Sequence, residues 1–146
     1  MNCPADMSQV IARPIAGKLS KLENAAVNYI RSFAWSGTVL ELYRGVHVPG
    51  ILGIFLVRLR PSAPNVDDWL WVVVGDVPPA YLVAEGNPTP ADALEGYIRE
   101  MRRWVEAVQS GKPVVDLISV NAPPTPAFAE MLERRLGSLE RSIETR

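Results

Sequence analysis

The chain holds one cysteine and one histidine, and that scarcity removes most familiar site chemistry. A lone Cys3 cannot close an internal disulfide, which fits a reducing compartment. His47 with only a distal Cys3 cannot supply the usual nitrogen and sulfur ligands of zinc, so no metal or other cofactor is expected. A Cys3/His47 nucleophile pair would need the amino terminus to dock on the turn where His47 is expected, and nothing around Cys3 resembles a reactive-thiol motif. Long hydrophobic runs are also missing. The longest apolar stretch, 48–57, is broken by Pro49, Gly50 and Gly53 and falls far short of the roughly 20 residues of a membrane helix. The first 20 residues carry Asp6, Arg13 and Pro14 and no continuous apolar segment, so no secretory signal is expected and a cytoplasmic location is. Charge of one sign is lacking too. Fifteen basic against 16 acidic side chains create no field that would draw the chain to nucleic acid or to anionic lipid. No phosphate-cradling GxxxxGK or GxGxxG string occurs, and no GxSxG elbow.

Proline, by contrast, is abundant. Thirteen of them in 146 residues are nearly twice the ordinary share of about 5%, and their scatter from Pro4 to Pro126 marks stops between elements rather than a low-complexity tract. A chain of this length buries roughly 70% of its unfolded surface without staples. We therefore expect a loosely ordered leader over 1–15 and one domain over 16–146.

Ser20 and Glu23 have capping-box spacing, in which hydroxyl and carboxylate each satisfy a free backbone N–H. Leu19, Leu22, Ala26, Tyr29, Ile30 and Phe33 recur behind them at helical intervals, predicting an amphipathic helix over 21–35 ended by Gly37. Strands are predicted at 38–44, 50–60 and 69–74, with a short fourth at 80–83; the second and third are nearly all apolar and read as central. Connections of five and eight residues are too short for parallel crossovers, so antiparallel neighbours follow. Two late helices each begin at a PTPA string, 88–91 and 124–127, where Thr caps and Pro takes the first helical position. Their apolar stripes are Leu94, Tyr97, Ile98, Met101, Val105 and Val108, sealed at the edge by Trp104, and Phe128, Met131, Leu132, Leu136, Leu139 and Ile143. Between them, 114–120 reads equally as an edge strand or as coil. The fold class is α+β: a three- to four-stranded, mainly antiparallel sheet packed against one N-terminal and two C-terminal helices.

The most distinctive stretch is 67–81, DDWLWVVVGDVPPAY. Asp68 and Asp76 cannot act as a carboxylate pair, because eight strand residues separate them by roughly 26 Å and glycosidase carboxylates work at about 5–9.5 Å. Asp76 is less ordinary. A turn Asp normally accepts the N–H two residues on, and here that residue is Pro78, which has none; Pro79 removes the next. Its carboxylate must face water or take a donor from an arginine, the Tyr81 hydroxyl or a ligand. Trp69 and Trp71 share a strand face, which is either core or a sticky surface for another chain. The basic cluster Arg99, Arg102 and Arg103 is interleaved with Glu95, Glu100 and Glu106 and reads as a solvated helix face.

The string WVVVGDVPPAY at 71–81, followed by a Pro-initiated amphipathic helix, resembles an uncharacterised family of small bacterial proteins, a domain of unknown function. Its members carry a Trp-rich strand running into Gly-Asp-Leu-Pro-x-x-Tyr. Gly75, Asp76, Pro78 and Tyr81 fit, and Val77 stands where the leucine would be. The resemblance covers 69–110. It implies a bacterial cytosolic origin, singles out the same corner and carries no activity with it.

With catalytic constellations absent from the sequence, the expectation is a non-enzymatic protein-interaction or inhibitory module of immunity or accessory type, with a protein partner, no nucleic acid and no membrane. The alternative is a small-molecule-binding protein or small enzyme using Asp76, Tyr81 and an arginine such as Arg58 or Arg99. A third possibility is a homo-oligomeric subunit. The residues to follow are Asp76, Tyr81, Trp69, Trp71 and Arg58.

Overall fold

The computed structural model describes residues 19–61, 64–118, 120 and 122–144, with the main chain alone for 142–144. The leader expected over 1–15, Cys3 and the Ile143 side chain lie outside these. Among the described residues, helix α1 (Lys21–Arg31) precedes a four-stranded meander, β1 (Thr38–Val48), β2 (Leu52–Arg60), β3 (Trp69–Gly75) and β4 (Ala80–Val83). Helices α2 (Pro90–Gln109) and α3 (Pro126–Glu144) follow. The strands lie in sequence order, each antiparallel to the next. This is the α+β arrangement that the short connections imply.

The unbroken apolar runs of β2 and β3 arise because both sheet faces are covered. Leu52, Ile54, Leu56, Trp69, Trp71 and Val73 point toward α2 and α3. Phe55, Val57, Leu59, Leu70, Val72 and Val74 alternate with them and meet Leu22, Ala26, Val27 and Ile30 of α1. Two cores therefore share one sheet.

β1 runs four residues beyond its predicted end, with register shifts between Val39 and Glu41 and between Arg44 and Val46. His47, expected in a turn, is thereby a strand residue opposite Gly53. At the far end of β3, Gly75 sits at φ 137°, and a Cβ there would lie 2.3 Å from the Ile51 carbonyl oxygen. Only glycine lets the chain pass so close. The Asp76 amide then donates to that same carbonyl at 2.9 Å.

The capping box forms as its spacing requires. The Glu23 amide donates to Ser20 Oγ at 3.2 Å, and the Ser20 amide to Glu23 Oε1 at 2.7 Å. α1 stops at Arg31 rather than at 35. The Ser32 hydroxyl donates to the Tyr29 carbonyl at 2.6 Å, the local competition by which serine ends helices. A 3-10 turn (Ala34–Ser36) then leads to Gly37 at φ 63°. Gly37 thus closes this turn and not the helix.

Both PTPA strings cap as expected: the Asp92 amide donates to Thr89 Oγ1 at 3.1 Å and the Phe128 amide to Thr125 Oγ1 at 3.3 Å. Trp104 is buried with the α2 stripe, its ring edge-on to Phe128 at 5.9 Å. The described part of 114–120 is turn and coil, not strand. No helix among the described residues is long and apolar enough to cross a membrane.

Candidate functional site

Helix length decides where the sheet stays open. α2 and α3, of 20 and 19 residues, extend about 30 Å each; α1, of 11, extends about 16 Å and is about 10 Å across. Four strands spaced about 4.8 Å apart make a broader platform than one such helix covers. α1 lies mainly on β2 and β3, its start beside His47 and the chain just past its end beside Tyr81. Each end of α1 borders a distinct surface feature.

At the carboxyl end, Phe33 and Trp35 stack at 5.0 Å, and both meet the ring of Tyr81 on β4 edge-on, at 5.3 and 5.1 Å. Tyr29 closes the group against Phe33 at 5.2 Å. Burial, with Tyr81 adding to it, pushes the Tyr29 hydroxyl up to about 12. Phe33 and Trp35 are half-buried, whereas Tyr81 and Val83 are exposed.

Among the described residues β4 is also an open edge. The Ala84 amide donates to the Trp69 carbonyl at 3.2 Å. By the alternation of antiparallel ladders, the inward-bonded pairs are then Trp71 with Leu82 and Val73 with Ala80. The main-chain groups of Tyr81 and Val83 face outward. Asn87 Nδ2 donates to the Val83 carbonyl at 3.0 Å, as that orientation requires. The opposite edge is different, since β1 carries two register shifts and the charged Glu41 and Arg44. Bulges and charges are the devices that keep edges from pairing, and β4 lacks both within its span.

At the amino end of α1 lies a cleft of about 570 Å³ lined by Ser20, Lys21, Leu22, Ala25, His47, Pro49, Gly50, Gly75 and Asp76. His47 Nε2 stands 3.3 Å from Ser20 Oγ. Beneath the cap, Glu23 Oε2 accepts from Arg44 at 2.7 Å. Burial by itself raises the Glu23 carboxyl, yet the Ser20 amide and Arg44 outweigh it and hold the group below its ordinary value. Asp76, at the rim, is 67% exposed, with Arg135 of α3 at 3.5 Å. An arginine ion pair thus stands where its proline-flanked turn withholds a backbone donor. The corner is held from beneath by the Tyr97 hydroxyl, which donates to the Pro78 carbonyl at 2.6 Å and is pushed well up by burial.

The five sequence candidates do not converge. Asp76 faces the cleft and Arg135, while Tyr81 belongs to the aromatic group. Trp71 is fully buried, its indole N–H donating to the Asn87 carbonyl at 2.7 Å. Trp69 is buried beneath Arg58, whose guanidinium lies 5.7 Å from its ring and also bonds Glu41 at 2.7 Å. The Trp face is therefore core. Arg99 and Arg103 are exposed and pair with Glu100, the mixed-charge face that the interleaving implies, whereas Arg102 bridges instead to Glu133 and Glu140 of α3 at 3.1 and 2.6 Å.

Two groups escaped the sequence reading. Trp35 left a faint signal, an aromatic between a helix end and Gly37. The approach of His47 to Ser20 left none, since it depends on how α1 docks. Among the described residues, no cluster of three or more His, Cys, Asp or Glu is placed to hold a metal ion. Compared with family models, curated proteins and solved structures, the chain matches none, so any functional reading rests on this geometry.

Proposed function

We propose that the protein is an interaction module of inhibitory or accessory type, which binds an extended apolar segment of a partner protein along β4. The observation that carries this reading is the β4 edge, without bulge or charge in its span, beside the half-buried Phe33 and Trp35 and the exposed Tyr81. A strand added there gains main-chain hydrogen bonds from Tyr81 and from the Val83 amide, with the Val83 carbonyl already accepting from Asn87 Nδ2, and its alternate side chains meet aromatic rings. Aromatic groups of this kind dominate interface energetics where they become fully desolvated.

Charge on the edge tests the idea, because a lysine at an exposed strand position discourages pairing without disturbing the core. Val83→Lys and Tyr81→Lys are expected to keep the wild-type melting temperature within a few degrees and to lose a protein that wild type retains from its native host. Retention of every wild-type partner by both variants would overturn the proposal. Light scattering on the pure chain supplies the second arm: self-association abolished by Val83→Lys would replace the foreign partner with a second copy of this chain.

A further inference from the structure

We infer that Ser20 is a nucleophile activated by His47, and that the cleft between α1 and the β1–β2 turn accepts a small ester whose acyl group passes to Ser20 Oγ. The site is at the opposite end of α1 from the β4 surface and does not depend on it.

The hydrogen-bond accounting at Ser20 supports this assignment. The hydroxyl oxygen already accepts the Glu23 amide at 3.2 Å. Its own hydrogen can then be given to His47 Nε2, which stands 3.3 Å away, in the tautomer that carries the ring proton on Nδ1. A hydroxyl that donates to a neutral imidazole is the arrangement a general base needs. Being a helix cap, Ser20 is also held in place on both sides. Its Oγ takes one helix N–H, and its own N–H is fixed by Glu23 Oε1 at 2.7 Å.

The cleft supplies the remaining requirements. A helix leaves its first N–H groups without partners inside it. Here the Glu23 amide is taken by Ser20 Oγ and the Asn24 amide by the Ser20 carbonyl at 2.9 Å. Among the described residues the amides of Lys21 and Leu22 have no such partner, and both residues line the cleft. Under this assignment they receive the charge that develops on a carbonyl oxygen attacked at Ser20. The lining mixes apolar Leu22, Ala25 and Pro49 with Lys21 and Asp76 at the rim. Its 570 Å³ falls within the range of about 300–1,000 Å³ typical of small-molecule sites.

The step balances without a cofactor. A bond forms between Ser20 Oγ and the ester carbonyl carbon while the hydroxyl proton moves to His47 Nε2. The bond to the leaving alcohol breaks, and that proton goes to the departing oxygen. Water then attacks the acyl-serine, gives a proton to Nε2 and releases the acid, and the proton returns to Ser20 Oγ. The sum is ester plus water giving acid plus alcohol.

The test is site-resolved labelling of the whole chain with a fluorophosphonate, read by peptide mass spectrometry. Ser110, exposed at the end of α2, is an internal reference that needs no variant. Ser20 is expected to react about 100-fold faster than Ser110, the lower range of what a positioned base contributes. His47→Gln is expected to bring Ser20 down to the Ser110 rate. Ser20→Asn, which preserves a good cap, is expected to keep the circular dichroism spectrum and abolish release of p-nitrophenol from p-nitrophenyl butyrate. Equal labelling of Ser20 and Ser110 in the wild-type chain overturns the proposal. So does Ser20 labelling that His47→Gln leaves unchanged.

Discussion

The two faces of the sheet are built from the same alternating strands and covered to different extents. Beneath α2 and α3, two long helices bury Trp69, Trp71, Tyr97 and Trp104 together with Ile54 and Leu56. Beneath α1, one short helix buries a smaller, mainly aliphatic core around Phe55 and leaves both of its ends bordered by partly exposed groups. The aromatic group lies at one end, and the Ser20–His47 cleft at the other. Tryptophans draw the eye to the first face, where they do structural service. The Ser20–His47 contact and the Phe33–Trp35–Tyr81 group lie on the second, because a face that is only partly covered leaves polar atoms and rings at the surface.

This contrast is broken most sharply by deleting one large side chain from each core. Trp71→Ala is expected to cost about 3–5 kcal/mol, the upper range for core truncation, since it also leaves the Asn87 carbonyl without its indole donor. Ile30→Ala, equally buried on the other face, is expected to cost about 2–3 kcal/mol, because a lightly covered core collapses more readily into the gap. Urea unfolding curves for the two variants decide it. An Ile30→Ala cost equal to or above that of Trp71→Ala would show that the α1 core is as tightly built as the other.

Elements that speak through local chemistry were legible in the sequence. The Ser20–Glu23 box, the two Thr-Pro helix starts and the apolar β2 and β3 each follow from what a few neighbouring residues require of the backbone. Antiparallel order was legible because loop length limits topology. The donor shortage at Asp76 was legible from Pro78 and Pro79, although the arginine that answers it, Arg135, stands 59 positions along the chain and has no signature there. What escaped was registry at longer range. The bulges that carry β1 out to Val48 move His47 from a turn to a strand, and the early stop of α1 places Phe33 and Trp35 on Tyr81. Both depend on tertiary contacts that no local pattern encodes.

Acid provides a finer probe of the α1 face. Glu23 is held below its ordinary value in the folded chain by the Ser20 amide and Arg44, against the opposing effect of burial. A carboxyl lowered on folding adds stability that is fully present above the unfolded value of about 4.3 and is lost as pH falls through the lower folded value. At pH 7, Glu23→Gln is expected to cost about 1 kcal/mol, since Arg44 is partly solvated and glutamine still reaches the Ser20 amide. The gap between variant and wild type is expected to close on acidification below pH 4. Denaturant midpoints measured from pH 7 to pH 3 test this, and a constant gap would mean that the Arg44 pairing contributes nothing.

The smallest effect is expected where the two faces meet. Asp76 lines the cleft on the α1 side, yet its cation comes from α3 on the other. A carboxylate 67% exposed and 3.5 Å from a guanidinium that is itself 40% exposed is a solvated pair, and such pairs contribute about 0–1 kcal/mol. Asp76→Asn keeps the shape and removes the charge, so it is expected to change stability by less than about 0.5 kcal/mol. Its fluorophosphonate labelling then isolates what the charge does for the cleft. Unchanged labelling at Ser20 would leave Asp76 as turn punctuation, with the chemistry confined to Ser20 and His47. A stability loss of 2 kcal/mol or more would mean instead that Asp76 and Arg135 clamp α3 to the β3 corner. The two faces would then be coupled through this bend, and the sheet could no longer be treated as two independently covered surfaces.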